Sequence, residues 1–151
     1  MQQIMIVGAG SVGGFFGAHL AKNNPNVAFL LRPRTCEAVR KNGLTIRSVG
    51  GNFTVHPKVS SDPYALPPPD LIILGMKAYD LDEVLDQLEP VLTKKTVILT
   101  LQNGVDVEDR ILARLHRDCV VGGVAFIYSK IVEPGVIEYY KRGVVEVGEM
   151  M

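Results

Sequence analysis

Short apolar runs alternate with amphipathic stretches along most of the chain. The runs that predict buried strands are residues 4–7, 27–31, 71–74 and 96–101. Each is followed by a segment in which apolar residues recur every three or four positions, and that spacing predicts a helix. Alternating strands and helices indicate an α/β fold that is doubly wound, with a mainly parallel sheet and helices on both faces.

The first predicted helix carries an apolar stripe at the spacing i, i+3, i+4, i+7 and i+8. Its members are Val12, Phe15, Phe16, His19 and Leu20. A stripe of this kind packs a helix against a sheet. We therefore interpret His19 as a packed helix residue and expect no metal, because no other ligand-type residue stands at metal-binding spacing.

Capping residues predict where the other helices begin. Thr35 is expected to cap a helix that ends at Gly43. Asp80 and Glu83 have the spacing of a capping box, in which two side chains satisfy backbone N–H groups at the helix start. Asp106 is expected to cap the last helix.

Shorter strands are predicted around glycine and proline turns. They cover residues 44–47, 53–55, 119–127, 136–140 and 144–147. The last three are divided by Pro134-Gly135 and by Arg142-Gly143, and we expect them at the edge of the sheet. The proline run within residues 60–69 predicts a connection on the surface.

A glycine-rich loop joins the first strand to the first helix. Gly8, Gly10 and Gly13 have the spacing G-x-G-x-x-G, which permits a tight turn, a close approach of pyrophosphate and close helix–strand packing, respectively. The N–H groups at the start of the helix suit a phosphate. The pattern predicts a Rossmann-type domain whose cofactor is bound by Gly8, Ala9, Gly10, Ser11, Val12 and Gly13. Glycines that serve only a close helix–strand crossing would give the same spacing.

Arg32 follows the second strand, about 20 positions beyond the glycines, where this fold reads the adenosine ribose. An acidic residue there accepts hydrogen bonds from the ribose hydroxyls, whereas a guanidinium offers donors that suit a 2′-phosphate. Arg32, with Arg34 close by, therefore indicates NADP(H). The alternative is that both arginines are solvated loop charges.

Lys77 and Asn103 follow two buried strands, and ligands of open α/β sheets bind at such strand ends. An ammonium and an amide there can hold a carboxylate or a carbonyl oxygen beside the nicotinamide. We predict that both side chains contact cofactor and substrate. A solvated lysine and a turn-forming Asn-Gly pair are the alternatives.

Composition limits the class of protein. The 151 residues, 47% of them hydrophobic, suit one domain. Sixteen basic and sixteen acidic residues cancel, so we expect neither a nucleic-acid partner nor attraction to a membrane. No signal peptide or membrane span is predicted. Cys36 and Cys119 lie far apart, which favours a reducing, cytoplasmic compartment over a disulfide.

Taken together, the motifs resemble the cofactor domain of the ketopantoate reductase (2-dehydropantoate 2-reductase) family. The resemblance rests on GAGSVG, LLRPR, LGMKAYD and LTLQNGV in this order, followed by a glycine-rich strand at residues 121–126. It spans nearly the whole chain. KAYD together with QNGV is more specific than the glycine spacing alone.

The resemblance implies reduction of the keto group of a branched 2-oxo acid by NADPH, on the route to pantothenate and coenzyme A. It implies that the loop from Gly8 to Gly13 holds the NADP pyrophosphate and that Arg32 meets the 2′-phosphate. Lys77 would border cofactor and substrate, and Asn103 would contact both. The family also has a cofactor contact near residues 127–129, which we assign to no residue.

Enzymes of this family continue into a helical second domain that supplies the lysine proton donor and most substrate contacts. We therefore expect residues 1–151 to be the NADP-binding domain, with no catalytic proton donor of its own and no activity alone. The missing domain would also be the route to a homodimer. The 2-oxo acid substrate is not fixed by these motifs.

Two other functions fit the same residues, because a fold does not fix a function. One is a non-catalytic NADP-binding module, for example a redox sensor. The other is an NADP-dependent dehydrogenase that acts on a different hydroxy acid. An enzyme of either kind needs Lys77 and Asn103 for turnover in the complete protein, whereas a binding module does not.

Overall fold

The computed structural model describes residues 2–116 and 118–149, except for the side chains of Arg142 and Glu149. Nine strands lie within these residues and form one sheet. The strands are β1 (Ile4–Val7), β2 (Val27–Leu30), β3 (Leu44–Arg47), β4 (Phe53–Val55), β5 (Lys58–Ser60), β6 (Leu71–Leu74), β7 (Val97–Thr100), β8 (Val120–Glu133) and β9 (Val136–Glu149). Their order is β4-β3-β9-β8-β7-β6-β1-β2-β5.

The sheet is mainly parallel, as the continuous apolar runs predict. β1 lies between β2 and β6, and β7 lies between β6 and β8, all in parallel pairing. The antiparallel pairs among the described strands are β3 with β4 and β8 with β9. The predicted α/β fold with a mainly parallel sheet is confirmed.

Helices cover both faces of this sheet. They are α1 (Gly13–Asn23), α2 (Pro33–Asn42), α3 (Leu81–Leu88) and α4 (Val107–Leu115). The side chains of β1 alternate between two apolar clusters. Met5 and Val7 pack with α3 and α4, whereas Ile6 packs with α1 and α2. The burial of strands on both faces explains why their sequences are continuously apolar.

The face that α1 buries differs from the predicted stripe. Gly13, Gly14, Phe15, Gly17 and Ala18 are buried. Leu20 is exposed, so the prediction was wrong for this residue, whereas His19 is exposed over part of its surface but packs its ring against Phe15 and Phe53 as predicted. The reason is close packing, since a Cβ on Gly17 would lie 2.5 Å from Phe29 Cζ. Small residues bring the helix to the sheet here.

The C-terminal strands also depart from the prediction. The turn at Pro134-Gly135 is present, but β9 runs through Arg142-Gly143 without a break, and β8 and β9 lie inside the sheet and not at its edge. The pairing of β8 with β9 shifts in register after Phe126 and then continues to Glu133 and Val136. Gly143 meets a packing need, because a Cβ there would lie 2.9 Å from Phe15 Cε1.

The predicted caps were wrong in detail. α2 begins at Pro33, a residue favoured in the first helical turn, so Thr35 lies inside the helix. Asp80 and Asp106 hold N-cap positions but make no side-chain cap hydrogen bonds. The sequence also gave no signal for β5, a three-residue strand beside β2.

Candidate cofactor and substrate site

The carboxyl ends of β1, β2, β6 and β7 surround a cavity of about 670 Å³. Ligands of open α/β sheets bind at this edge, and pockets of about 300 to 1,000 Å³ are typical of small-molecule sites. Eight of the nine predicted site residues line it: Gly8, Ala9, Gly10, Ser11, Val12, Arg32, Lys77 and Asn103. The cavity is thus the candidate site.

The three motif glycines have different surroundings. Gly8 has a φ of +90°, a left-handed conformation that favours glycine. A Cβ on Gly13 would lie 2.7 Å from Gly8 O and 3.2 Å from Gly75 Cα, so this glycine packs the helix against the loops and does not line the cavity. At Gly10 the nearest atom to a Cβ is Ile131 Cδ1, at 3.9 Å. The protein therefore leaves open the space beside Gly10.

Helix α1 begins at the floor of the cavity. Its N-cap residue, Val12, has no side-chain cap hydrogen bond. The first turn of a helix carries N–H groups and the positive end of the helix dipole, both of which favour a phosphate. The loop from Gly8 to Val12 can therefore bind pyrophosphate through its backbone.

Arg32 lies at the end of β2 and is not a free solvated charge. Its Nη2 lies 2.8 Å from Asp80 Oδ1, and the side chains are 70% and 17% exposed, respectively. Arg34 is exposed in the first turn of α2 and is not among the residues that line the cavity. Only the first of the two arginines therefore stands where the adenosine end of a dinucleotide is expected.

Lys77 and Asn103 occupy equivalent positions on neighbouring strands. Leu74 pairs with Thr100, and each candidate residue comes three positions after its strand's member of this pair. Both side chains are exposed at the cavity. The structure thus places an ammonium and an amide at the lining of the same cavity, and both can donate to an oxygen of a bound ligand.

Gln102 fixes the two strand ends to each other, and sequence reasoning missed it. Its Nε2 donates to Met76 O at 2.9 Å, across the loops that carry Lys77 and Asn103. The residue is 9% exposed and lines the cavity, and its Oε1 has no partner among the described residues. A buried amide directly after an apolar strand was the available signal.

Strand β8 closes one side of the cavity. Ser129 Oγ donates to Ser11 O at 2.7 Å, which holds the strand against the glycine loop. Lys130 and Ile131 line the cavity next to this contact. Residues 127–129, where the resemblance implies a cofactor contact that was assigned to no residue, therefore contact the glycine loop through Ser129.

Other chemistry is limited within the residues that the structure describes. No three His, Cys, Asp or Glu side chains among them are grouped to hold a metal ion. None of the described helices is long and apolar enough to cross a membrane. His19 packs its ring against Phe15 and Phe53, and burial, followed by the charge of Lys22, lowers its pKa from 6.5.

Comparison with known proteins shows which family has this fold and this sequence. The sequence profile of the family described as "Ketopantoate reductase PanE/ApbA" matches residues 4–151. The chain belongs to the ketopantoate reductase family. It is 35% identical over 147 residues to a 2-dehydropantoate 2-reductase of Pyrococcus horikoshii, with 97% of this chain and 47% of that protein covered. The chain spans about half the length of the curated relatives it matches.

Solved structures that resemble this chain have the same fold. The crystal structure of 2-dehydropantoate 2-reductase from Geobacter metallireducens GS-15 has a TM-score of 0.90 and 37% identity, with 97% of this chain and 49% of that chain covered. A ternary structure of D-mandelate dehydrogenase with NADH and anilino(oxo)acetate has a TM-score of 0.87 and 26% identity, covering 96% and 47%. The chain is a Rossmann-type unit of an NADP(H)-dependent oxidoreductase family, as its motifs predict.

Proposed function

We propose that this chain is the cofactor-binding domain of a 2-dehydropantoate 2-reductase, which reduces ketopantoate to pantoate with NADPH. The observation that carries the proposal is the pair Lys77 and Asn103, placed at equivalent strand ends beside the glycine loop. Both bear donors for the oxygens of a 2-oxo acid. A site that bound only the nucleotide would not need them.

The cofactor contacts follow from the order of the strand ends. The backbone from Gly8 to Gly13 binds the pyrophosphate, supported by the open space at Gly10 and the uncapped start of α1. Arg32 binds the 2′-phosphate at the β2 side. The nicotinamide then lies toward Lys77 and Asn103, on the far side of β1.

When bound, NADPH supplies the hydride that reaches the carbonyl carbon of the substrate. The residues of this chain orient that carbonyl. The Lys77 ammonium and the Asn103 amide donate to substrate oxygens, which aligns the carbonyl and stabilises negative charge as it develops on the oxygen. The proton for that oxygen comes, by family resemblance, from a lysine in a helical domain beyond residues 1–151.

The test is NADPH-dependent reduction of ketopantoate by the protein with its second domain, followed as the loss of NADPH absorbance. Lys77→Ala and Asn103→Ala should lower kcat/KM at least about tenfold each, since each removes an interaction with the reacting oxygens. Lys94→Ala is the control, because Lys94 is exposed at the opposite edge of the sheet, before β7. If both site variants retain full turnover, the proposed substrate contacts are wrong.

A second candidate is a reductase of a different 2-oxo acid. The similarity to D-mandelate dehydrogenase supports it, because that enzyme has the same fold and its bound ligand is an oxoacetate. Turnover of an aryl 2-oxo acid in preference to ketopantoate would select this candidate. Both candidate reactions, reduction of ketopantoate and reduction of another 2-oxo acid, require the second domain as well as the nucleotide-binding site described here.

We also infer a cytoplasmic protein that forms a homodimer through the second domain. Buried, unpaired Cys36 and Cys119 support the reducing compartment. Sedimentation of the complete protein and of residues 1–151 tests the dimer, which is expected only for the complete protein.

A further inference from the structure

The ion pair between Arg32 and Asp80 spans the entrance to the glycine loop. Arg32 follows β2 and Asp80 follows β6, and these strands lie on either side of β1, which leads into the loop. Strand ends two positions apart in a sheet are roughly 10 Å apart, so a long side chain is needed to bridge them. The contact of 2.8 Å therefore crosses the adenosine end of the site.

We propose that Asp80 is a specificity-determining residue that limits the preference of this site for NADPH over NADH. This inference rests on the proposed binding of the 2′-phosphate by Arg32. The carboxylate competes with the phosphate for the guanidinium. It also brings a carboxylate acceptor next to Arg32, which holds the position at the end of the second strand where an acidic side chain in this fold binds the ribose hydroxyls of NADH.

The charges around Arg32 indicate that Asp80 opposes the binding of a 2′-phosphate by Arg32 and does not assist it. Asp80 contacts Arg32 directly, and Glu83 lines a smaller pocket together with Arg32, so both carboxylates add negative charge on the Arg32 side of the site. A 2′-phosphate adds further negative charge next to them and is repelled by both carboxylates. NADH carries no such charge at this position and escapes that repulsion.

Orientation of Arg32 by Asp80 is the weaker effect. The arginine side chain is 70% exposed, and an ion pair of this exposure holds its partners only loosely. The contact with Asp80 uses Nη2, which leaves the other guanidinium donors for a phosphate. Removal of the carboxylate therefore makes the Arg32 guanidinium more available to a phosphate and changes the orientation of its side chain little.

Asp80→Asn is a clean test of this balance. The substitution keeps the shape of the side chain and removes its charge, and it breaks no helix cap because Asp80 makes none. Asp82→Asn is the matched control, since Asp82 lies two residues further on, is 76% exposed and pairs with Arg110 instead. Circular dichroism and thermal melting of each variant establish that it is folded.

The measurement is the dissociation constant of the chain for NADPH and for NADH, by fluorescence titration. Asp80→Asn should raise NADPH affinity about two- to fivefold, the range expected for an exposed ion pair, and should leave NADH affinity unchanged or lower. Asp82→Asn should change neither. In the Arg32→Ala background, Asp80→Asn should raise NADPH affinity distinctly less, because there is no guanidinium to release.

Three outcomes would overturn the inference: weaker NADPH binding by Asp80→Asn, an equal response of Asp82→Asn, or the same gain with and without Arg32. If the unchanged chain does not bind NADPH, or if Arg32→Ala leaves NADPH affinity unchanged, the proposed cofactor contacts fail instead. If both those results are as expected and only Asp80→Asn behaves otherwise, the role of Asp80 alone is rejected.

Discussion

Gly10 and Gly13 stand three positions apart in the glycine motif, Gly10 in the loop and Gly13 at the first residue of α1, and an added methyl group meets different surroundings at each. At Gly10 it meets Ile131 Cδ1 at 3.9 Å, an ordinary contact. At Gly13 it meets Gly8 O at 2.7 Å and Gly75 Cα at 3.2 Å, both of them backbone atoms. We predict that Gly10→Ala weakens NADPH binding and leaves the stability of the fold intact, whereas Gly13→Ala lowers the stability of the fold.

The magnitudes follow from these contacts. Gly10 has no positive φ, so alanine fits the backbone there and should leave the free energy of unfolding unchanged or raise it by about 0.4 to 1 kcal/mol. A methyl group facing the pyrophosphate should weaken NADPH binding at least about tenfold, or about 1.4 kcal/mol. Overpacking at Gly13 should cost about 1 to 3 kcal/mol and lower the Tm by about 3 to 10 °C.

Thermal melting and NADPH titration of both variants, at a temperature where both are folded, measure these effects side by side. The reasoning is refuted if Gly10→Ala binds NADPH as the unchanged chain does, because the open space would then not belong to the cofactor. An unchanged Tm for Gly13→Ala would show equally that the loop relaxes around the methyl group without cost.

Further predictions concern charge, completeness and pH. Arg32→Ala should weaken NADPH binding about tenfold and leave NADH binding unchanged, measured by fluorescence titration. Residues 1–151 should bind NADPH but show no measurable ketopantoate reduction in an absorbance assay, because we expect the proton donor, by the family resemblance, in a second domain. The lowered pKa of His19 means that the folded state disfavours its protonation, so the free energy of unfolding should fall as the pH drops below 6.5. His19→Gln should flatten this fall in urea unfolding above and below that pH.

The parallel core could be predicted from the sequence because its strands are buried on both faces. β6, Leu71–Leu74, reads as four consecutive apolar residues, and only a strand covered on both sides or a buried helix produces such a run. The four-residue length and the amphipathic segment that follows exclude the helix. The hydropathy pattern alone was therefore sufficient to predict the strands that are buried on both faces.

The pattern failed where glycine does the packing. Hydrophobic periodicity assigns the buried face of α1 to its large residues, but the face is set by Gly13, Gly14 and Gly17, which hydropathy does not weigh. For the same reason the sequence predicts a break between two strands at Gly143, where β9 is continuous. A glycine that allows close packing and one that makes a turn look identical until the neighbouring chain is known.

Site residues could be predicted where their position depends on one strand alone. They could not be predicted where a contact depends on which strands are neighbours in the sheet. Lys77 and Asn103 each follow a buried strand directly, so the rule for strand ends located them without knowledge of the strand order. The contact of Arg32 with Asp80 joins residues 48 positions apart and exists because β2 and β6 flank β1, a fact of topology that no local pattern contains. Asp80 was therefore interpreted by its local spacing as a helix cap. Once the strand order is known, the same carboxylate stands at the adenosine end of the cavity, where it bears on the choice of nucleotide.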